Sequence, residues 1–295
     1  MEFSSFDPLF LLHNKIQFSS FAPLYNFIRK VEFSSFAPLF LKVDYMIKVV
    51  NSRNDGSLFH YAHFICDCLF PEIVNDIFDF KEVVRERNIN QTIGNFSKIY
   101  TEVMKTQNIE LPTNEFSKLN VKTIVYNNKE KYCAKKHFDK FRNFIFSNYK
   151  INNFVFNLDY PEVVLIKRHG RINLIDDTEL QKLNKNISTG KERREINQID
   201  KLEEYLFEKY NNKFQSIFLE LLPFKEQVCF FNNAKLIICA HGAGMSNMFF
   251  CKEGTKIIEV TCDAKWGFFD SISTTLNLNH VKCHKNNFDD IISFI

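Results

Sequence analysis

The alternation of short apolar runs with helix-length stretches between residues 160 and 285 constrains the fold more than any other feature of the sequence. The apolar runs are EVVLIKR, FQSIFLEL, KLIICA and TKIIEVTC. Near-continuous apolar strands separated by helices of about 10–15 residues are typical of βαβ units, whose strands are buried on both faces of a parallel sheet. We therefore predict a Rossmann-like α/β domain over residues 160–285.

The chain before residue 160 carries a repeat and a weaker pattern. The similar segments EFSSFDPLF, QFSSFAPLY and EFSSFAPLF begin at residues 2, 17 and 32, a spacing shorter than the roughly 20–50 residues of repeats that stack into a core. We expect residues 1–43 to be an extension outside the core, either a tandem duplication or a Phe-rich docking or membrane-surface segment. Residues 44–159 are expected to form a smaller α/β domain, with strands at YMIKVV and VKTIVYN and a helical stretch interrupted at Pro71. Residues 286–295 are expected to form a helix that packs back on that domain.

Composition argues against several classes of protein. The 295-residue chain has a net charge of +3 and 25% charged residues, so no global basic field points to nucleic acid or to an anionic membrane. No apolar segment reaches the roughly 20 residues that a transmembrane helix needs. The eight cysteines are scattered and no secretory signal precedes them, so we expect reduced thiols and a cytoplasmic protein.

The sequence CAHGAGMSN lies between the apolar runs AKLIIC and MFFC, at the exit of a predicted strand. In parallel sheets ligands bind beyond the carboxyl ends of the strands, so we predict a diphosphate cradle here, with a purely structural turn as the alternative. Gly242 and Gly244 are expected to allow positive φ angles and close backbone approach. The turn is neither a GxGxxG fingerprint nor a P-loop, and its GMSNM segment lacks the last glycine of an esterase nucleophile elbow.

Three polar residues flank the glycine turn in the predicted elements around it. Glu226 and Gln227 lie in the helix that precedes the same strand, and Glu259 lies in the strand that follows. We expect Glu259 to bind ribose hydroxyls, the role that an acidic residue at a neighbouring strand has in dinucleotide sites. A carboxylate exposed to solvent at the strand end is the alternative.

The segments LIKR, ERREINQIDKL, FKEQVCFFNNAKLIICAHGAGMSNMFF and GTKIIEV resemble, in this order, the family 61 glycosyltransferases over roughly residues 161–262. The segment FHYAHFICDCLFP resembles the weaker amino-terminal pattern of that family. The resemblance implies a GT-B-like fold, with two Rossmann-like domains facing a cleft. It also implies inverting transfer from a nucleotide-sugar donor to a glycan or protein acceptor, usually without an essential metal.

Two function classes remain as alternatives to the enzyme. One is a catalytically inactive nucleotide- or glycan-binding module, which release of UDP from UDP-sugars would distinguish. The other is an NAD-dependent protein, although no GxGxxG follows any predicted strand. The nucleotide sugar is a substrate on the preferred interpretation, and no cofactor is predicted.

The resemblance also implies the residues of the donor site. Arg168 matches the first arginine of the family, and Arg193 or Arg194 matches the second, with Arg171 as a competing match. Guanidinium groups, backbone N–H groups and a helix dipole would together neutralise the departing diphosphate. Ser246 and Asn247 are expected to cap the following helix or touch the sugar. The predicted donor site comprises Arg168, Arg193, Arg194, Glu226, Gln227, His241, Gly242, Ala243, Gly244, Ser246, Asn247 and Glu259.

The catalytic base is predicted on the acceptor side. His60, His63 and Asp67 share one face of a helix, because their spacing is i, i+3 and i+7. Inverting transfer needs a general base, and a histidine oriented by a carboxylate suits that task, so we assign His63 or Asp67 to it. The neighbouring Cys66 and Cys68 do not complete any common zinc spacing, and no metal site is predicted.

Overall fold

The computed structural model describes residues 46–50, 60–74, 80–88, 96–105, 120–126, 135–152, 157–169, 194–260 and 268–295. The repeat extension, residues 1–43, and the predicted site residues Arg171 and Arg193 lie outside these described residues. The helix predicted at DDTELQKLNKNI lies outside them too.

The described strands of the first half form a three-stranded mixed sheet. β1 (Met46–Val50) runs parallel to β3 (Asn120–Tyr126), and β2 (Phe80–Asn88) pairs with β3 in the antiparallel direction. β1 and β3 confirm the strands predicted at YMIKVV and VKTIVYN, whereas β2 has no predicted counterpart. The pairing of two facing Rossmann-like domains stays a prediction.

A helix, α1, follows β1 and carries the predicted base residues. It runs through three segments, Tyr61–His63, Phe64–Leu69 and Phe70–Ile73, of which the middle one is π-helical. The interruption expected at Pro71 is wrong, because the helix continues through it and Pro71 falls in the first turn of the last segment, where proline is tolerated. The other described helices of this half are α2 (Ser97–Lys105) and α3 (Lys135–Tyr149).

The second half forms a parallel five-stranded sheet in the order β5-β4-β6-β7-β8. The strands are β4 (Val163–Lys167), β5 (Phe214–Phe218), β6 (Leu236–Ala240), β7 (Lys256–Val260) and β8 (Asn279–Cys283). β4 to β7 confirm the four predicted strands, and β8 adds a fifth. The parallel α/β sheet predicted for residues 160–285 is therefore confirmed.

The connections in this half are mostly the predicted helices. The helices are α4 (Ile199–Tyr210), α5 (Phe224–Asn233), α6 (Phe268–Thr275) and α7 (Phe288–Ser293). After β6 the chain forms a 3₁₀-helix, Ala243–Phe250, which covers most of the stretch MSNMFFC, where the sequence pattern predicts a helix. This tighter helix takes in the glycine turn itself.

Alternate residues of each strand face two separate hydrophobic clusters, as the period of two in a β-strand requires. Val163 and Leu165 pack in one cluster with Leu202 and Leu206 of α4, whereas Val164 and Ile166 pack in the other. Phe288 and Ile291 of α7 belong to the first cluster. The expectation that the C-terminal helix packs back on residues 44–159 is wrong, because its apolar face is buried against α4, where Tyr205 meets Phe288 edge-on at 5.7 Å.

Aromatic rings hold α1 and α3 against the 3₁₀-helix. Phe70 of α1 stacks on Phe249 with centroids 5.3 Å apart, and Phe138 and Phe141 of α3 contact the same ring at 4.8 and 5.4 Å. All four side chains are buried. Each such pair contributes about 0.5–1.5 kcal/mol beyond area burial. This packing fixes the helix that carries His63 and Asp67 beside the helix that carries the glycine turn.

Candidate active site

The carboxyl ends of β4 and β6 form the crevice at which a sheet of this topology binds ligands. β4 is the first strand of the sheet in the chain, and the two strands that follow it, β5 and β6, pair with its opposite sides. Such a reversal of strand order is a topological switch point, where the connections leave in opposite directions and open a crevice. Arg168 follows β4 directly and His241 follows β6 directly.

Two arginines converge on one carbonyl oxygen at this crevice. Nη2 of Arg168 donates to the carbonyl oxygen of His241 at 2.6 Å, and Nη1 of Arg194 donates to the same oxygen at 3.2 Å. No acidic partner of Arg194 is found among the described residues. Two guanidinium groups therefore meet at one backbone oxygen in this crevice.

The two glycines of the turn are required for close approach. A Cβ atom at Gly242 would overlap the guanidinium group of Arg168, and one at Gly244 would lie 2.7 Å from Cδ1 of Leu219. The positive φ angles expected at Gly242 and Gly244 are wrong, because the backbone of Gly242 is extended and Gly254 is the one glycine of the described residues with a positive φ. Gly242 thus leaves room for the Arg168 head group.

A buried His–Glu–His cluster lies directly behind the turn. Nδ1 of His241 is hydrogen-bonded to Oε1 of Glu259, and Nε2 of His280 lies 2.8 Å from Oε2 of the same carboxylate. The side chain of Glu259 is 1% exposed and that of His241 is 13% exposed. Among the described residues, Nε2 of His241 makes no hydrogen bond. His241 is therefore the more exposed of the two histidines, since the side chain of His280 is 4% exposed.

The environment of Glu259 keeps its carboxylate ionised. Burial by itself raises the pKa of Glu259, but hydrogen bonds from His241 and His280 and their electrostatic interaction outweigh it and lower the pKa to about 2. The alternative of a solvent-exposed carboxylate is wrong. The carboxylate faces two imidazoles instead of open space.

A hydrogen-bonded network joins α1 to the 3₁₀-helix. The hydroxyl of Tyr61 donates to Oδ1 of Asn247 at 2.7 Å and lies 3.0 Å from Oε1 of Gln227, which accepts a bond of 3.0 Å from Nδ2 of Asn247. Burial raises the pKa of Tyr61, so the hydroxyl keeps its proton. Ser246 and Asn247 lie inside the 3₁₀-helix and cap nothing, so the expectation of a side-chain cap is wrong. Ser246 and Asn247 are fully buried, and Gln227 is 6% exposed.

Glu226, in α5, is hydrogen-bonded to a tyrosine that lies before β4 in the chain. Its Oε2 accepts a hydrogen bond of 2.6 Å from the hydroxyl of Tyr160, whose ring packs edge-on against Phe230. Burial, followed by the bond to Glu226, raises the pKa of Tyr160. The described contacts thus tie Glu226 to the chain segment that leads into β4.

The predicted base residues form a hydrogen-bonded pair near the start of α1. Nδ1 of His63 lies 2.7 Å from Oδ2 of Asp67, and the side chains are 40% and 15% exposed. The ring of His60 lies 5.4 Å from that of His63. The shared helix face predicted from the spacing brings His63 and Asp67 together as an i, i+4 pair.

The family model described as Glycosyltransferase 61 matches residues 61–258, well over half of the chain. The chain belongs to the glycosyltransferase 61 family. It is therefore a glycosyltransferase, and the alternative of a binding module without catalysis is not favoured. No curated protein sequence matches the chain.

In this family 61 glycosyltransferase the matched region runs from Tyr61 in α1 to Ile258 in β7. It includes the His63–Asp67 pair, both arginines and the glycine turn, and it ends one residue before Glu259. His280 lies beyond it. Sequence reasoning missed His280 because β8 was not predicted, and it missed Tyr61 because a tyrosine on a helix carries no signal of a distant partner.

Two absences concern the described residues of the glycosyltransferase alone. Their histidine, cysteine and acidic side chains form no group of three or more that could hold a metal ion. None of their helices combines the length and apolarity that crossing a bilayer requires. The described cysteines are all buried: Cys66, Cys68, Cys229, Cys239, Cys251 and Cys283.

Proposed function

We propose that the chain is an inverting glycosyltransferase that moves a sugar from a nucleotide-sugar donor, a UDP-sugar, to a hydroxyl of a glycan or glycoprotein acceptor. The observation that carries the proposal is the convergence of Arg168 and Arg194 on the carbonyl oxygen of His241. Two guanidinium groups at one neutral oxygen repel each other. A diphosphate offers several anionic oxygens and would convert this repulsion into binding.

The start of the 3₁₀-helix supplies further donors for the diphosphate. The first intrahelical bond runs from the N–H of Met245 to the oxygen of Gly242 at 3.0 Å, so the N–H groups of Ala243 and Gly244 precede it. Unpaired N–H groups at a helix start favour anions. We assign the diphosphate to Arg168, Arg194 and this helix start, with Arg193 as a further proposed contact.

The His63–Asp67 pair suits the base of a single displacement. Because Nδ1 of His63 faces the carboxylate of Asp67, it carries the ring proton, and Nε2 has the lone pair. In the proposed step Nε2 takes the proton of the acceptor hydroxyl while the oxygen attacks the anomeric carbon. The bond from that carbon to the diphosphate breaks, and its electrons leave with the nucleoside diphosphate. One displacement inverts the anomeric carbon.

The arginines also support metal-independent transfer. Positioned cations at the leaving group stabilise the charge that develops in the transition state, and guanidinium groups can do so without a metal. We expect release of UDP from the correct UDP-sugar to survive an excess of EDTA. Loss of activity on chelation, with recovery on adding a divalent cation, would contradict this part of the proposal.

The first experiment is a panel of nucleotide sugars tested for slow donor hydrolysis, which needs no knowledge of the acceptor. We expect one or a few UDP-sugars to release UDP above background. A thermal-shift series with the free nucleotides tests binding separately, because a ligand at 100 times its Kd adds about 2.7 kcal/mol of stability. A complete absence of binding to any nucleotide or nucleotide sugar would overturn the proposed function.

The second experiment tests the arginines. Arg168→Ala and Arg194→Ala should each weaken UDP binding by about 10–100-fold, since hydrogen bonds between charged groups are worth about 1.5–3 kcal/mol. Lys256→Ala is the matched control, because Lys256 lies at the amino end of β7, whereas the crevice is at the carboxyl ends of the strands. Equal weakening in all three variants would mean that only net charge matters.

The third experiment uses the overlap between a Cβ at position 242 and Arg168. Gly242→Ala should displace the flexible Arg168 head group and weaken UDP binding about as much as Arg168→Ala does. The double variant should be no weaker than Arg168→Ala, because both changes remove the same contact. Additive losses would show that Gly242 serves the ligand independently of Arg168.

A further inference from the structure

His280 is a buried histidine to which the proposed reaction assigns no role. Its side chain is 4% exposed, and it lies in β8, at the end of the sheet order. Nε2 lies 2.8 Å from Oε2 of Glu259, and Nδ1 lies 3.2 Å from Oγ of Ser273 in α6. Oδ1 of Asp270, also in α6, lies 3.5 Å from Nδ1. His280 is therefore anchored on both sides of its ring.

The register of the sheet places His280 beside Glu259. β7 and β8 are parallel, and Ile257 lies opposite His280. Ile257 and Glu259 are two residues apart, so they point to the same face of the sheet. His241 reaches this carboxylate from the end of β6, the neighbouring strand on the other side. Glu259 is thus held between imidazoles from its two flanking strands.

A glutamate carboxylate with a single hydrogen-bond donor can rotate about its Cγ–Cδ bond and accept that bond through either oxygen. A second donor on the other oxygen removes this freedom, since both oxygens then have a set direction. Metal-binding histidines are commonly oriented by a carboxylate that is itself hydrogen-bonded to a further residue. In this protein the second donor is His280, and the oriented ring is that of His241.

We propose that His280 is a positioning residue, which through Glu259 holds His241 with its proton on Nδ1 and a lone pair on Nε2 at the donor site. The backbone of His241 is held as well, because its N–H donates to Val260 at 2.8 Å and its oxygen accepts from both arginines. The ring and the backbone are then both set before a ligand arrives.

The lone pair on Nε2 determines the kind of ligand group that His241 recognises. An acceptor nitrogen takes a hydrogen bond from a hydroxyl, whereas an ionised phosphate has no proton to offer. The arginines and His241 therefore divide the donor between them: guanidinium groups bind the diphosphate, and Nε2 accepts from a hydroxyl of the ribose or the sugar. This assignment of the ligand rests on the proposed function, but the orientation of the ring does not.

The orientation is tested on the ligand-free full-length protein by side-chain ¹⁵N NMR of histidine-labelled samples, with the His241 signals assigned by their loss in His241→Gln. We expect the wild type to show a proton on Nδ1 of His241. His280→Met and His280→Gln form a matched pair, because the two side chains have similar length and only glutamine can donate to Oε2 of Glu259. The tautomer should become mixed in His280→Met and return in His280→Gln. His284→Ala, at an exposed histidine one residue past β8, is the control.

Binding of UDP and of the active UDP-sugar gives the second readout. We expect the Kd of the UDP-sugar to rise about tenfold in His280→Met and to recover to within about twofold in His280→Gln. A merely structural role would lower Tm in both variants without changing the His241 tautomer, and an unchanged tautomer in His280→Met overturns the proposal. If the wild type binds no nucleotide, the proposed function fails, and the NMR result by itself decides the role of His280.

Discussion

The His63–Asp67 pair and the His241–Glu259 pair have the same chemistry in opposite environments. The first lies near the start of a helix with its histidine 40% exposed, whereas the second lies at the carboxyl ends of β6 and β7 with its carboxylate 1% exposed. An exposed imidazole can exchange a proton with an acceptor molecule and with water. A carboxylate closed in by two imidazoles can act only on those imidazoles. We therefore propose proton transfer for the first pair and orientation of a ligand-binding ring for the second.

The largest expected effect comes from the exposed pair. His63→Ala should lower kcat by about 10²–10⁴-fold, the usual contribution of a general base, and leave the Kd of UDP within about twofold. Transfer assays and titration calorimetry measure the two quantities. His60→Ala, a change to the neighbouring exposed imidazole, is the control and should transfer at the normal rate. An unchanged kcat in both His63→Ala and Asp67→Asn would remove the first pair from the mechanism.

The next largest effect is on the free energy of unfolding, to which the second pair should contribute more than the first. Glu259→Gln replaces a buried charge between two imidazoles, and removing one partner of a buried pair costs about 3–5 kcal/mol. Asp67→Asn should cost less, about 0.5–1.5 kcal/mol, because its bond with neutral His63 is a single hydrogen bond at a partly exposed histidine. Urea unfolding at pH 7 measures both free energies of unfolding. Similar losses in the two variants would mean that burial does not distinguish the pairs.

A third prediction follows from the pKa of Glu259, about 2 in the folded protein against an ordinary value of 4.5. Because the folded state binds protons less readily, this group stabilises the fold at pH values above 4.5, and the contribution is lost as the pH falls toward 2. The full difference corresponds to about 3 kcal/mol. Urea unfolding from pH 6 to pH 3 should show a steeper loss in the wild type than in Glu259→Gln. Parallel pH profiles would contradict the lowered pKa.

The smallest effect concerns the link between the two regions. Tyr61→Phe removes the hydroxyl that joins α1 to Asn247 and should lower the free energy of unfolding by about 1–2 kcal/mol. Tyr205→Phe is the control and should cost less, since the hydroxyl of Tyr205 only accepts an exposed bond from Lys209. A drop in kcat without a change in the Kd of UDP would show that Tyr61 sets the position of the base against the donor site. Equal losses of stability in the two variants would contradict the role of the buried network.

The sequence by itself was sufficient for the parallel sheet from β4 to β7, because β4, β6 and β7 are short apolar runs that are buried on both faces, and β5 keeps the same spacing at the edge of the sheet. It was sufficient too for the pairing of His63 with Asp67, since helical spacing is a local property. The glycine turn at the exit of β6 and the family of the protein also followed from residues close together in the chain.

Only the tertiary structure decided what surrounds the turn. The bond from Arg168 to the oxygen of His241 joins two strand ends, and the contact of His280 with Glu259 depends on parallel register between β7 and β8. The guanidinium group of Arg168 fills the space that a Cβ atom at position 242 would take. No local backbone preference predicts this need for glycine. Periodicity reports which face of an element is buried, whereas the partner on that face depends on how distant segments pack.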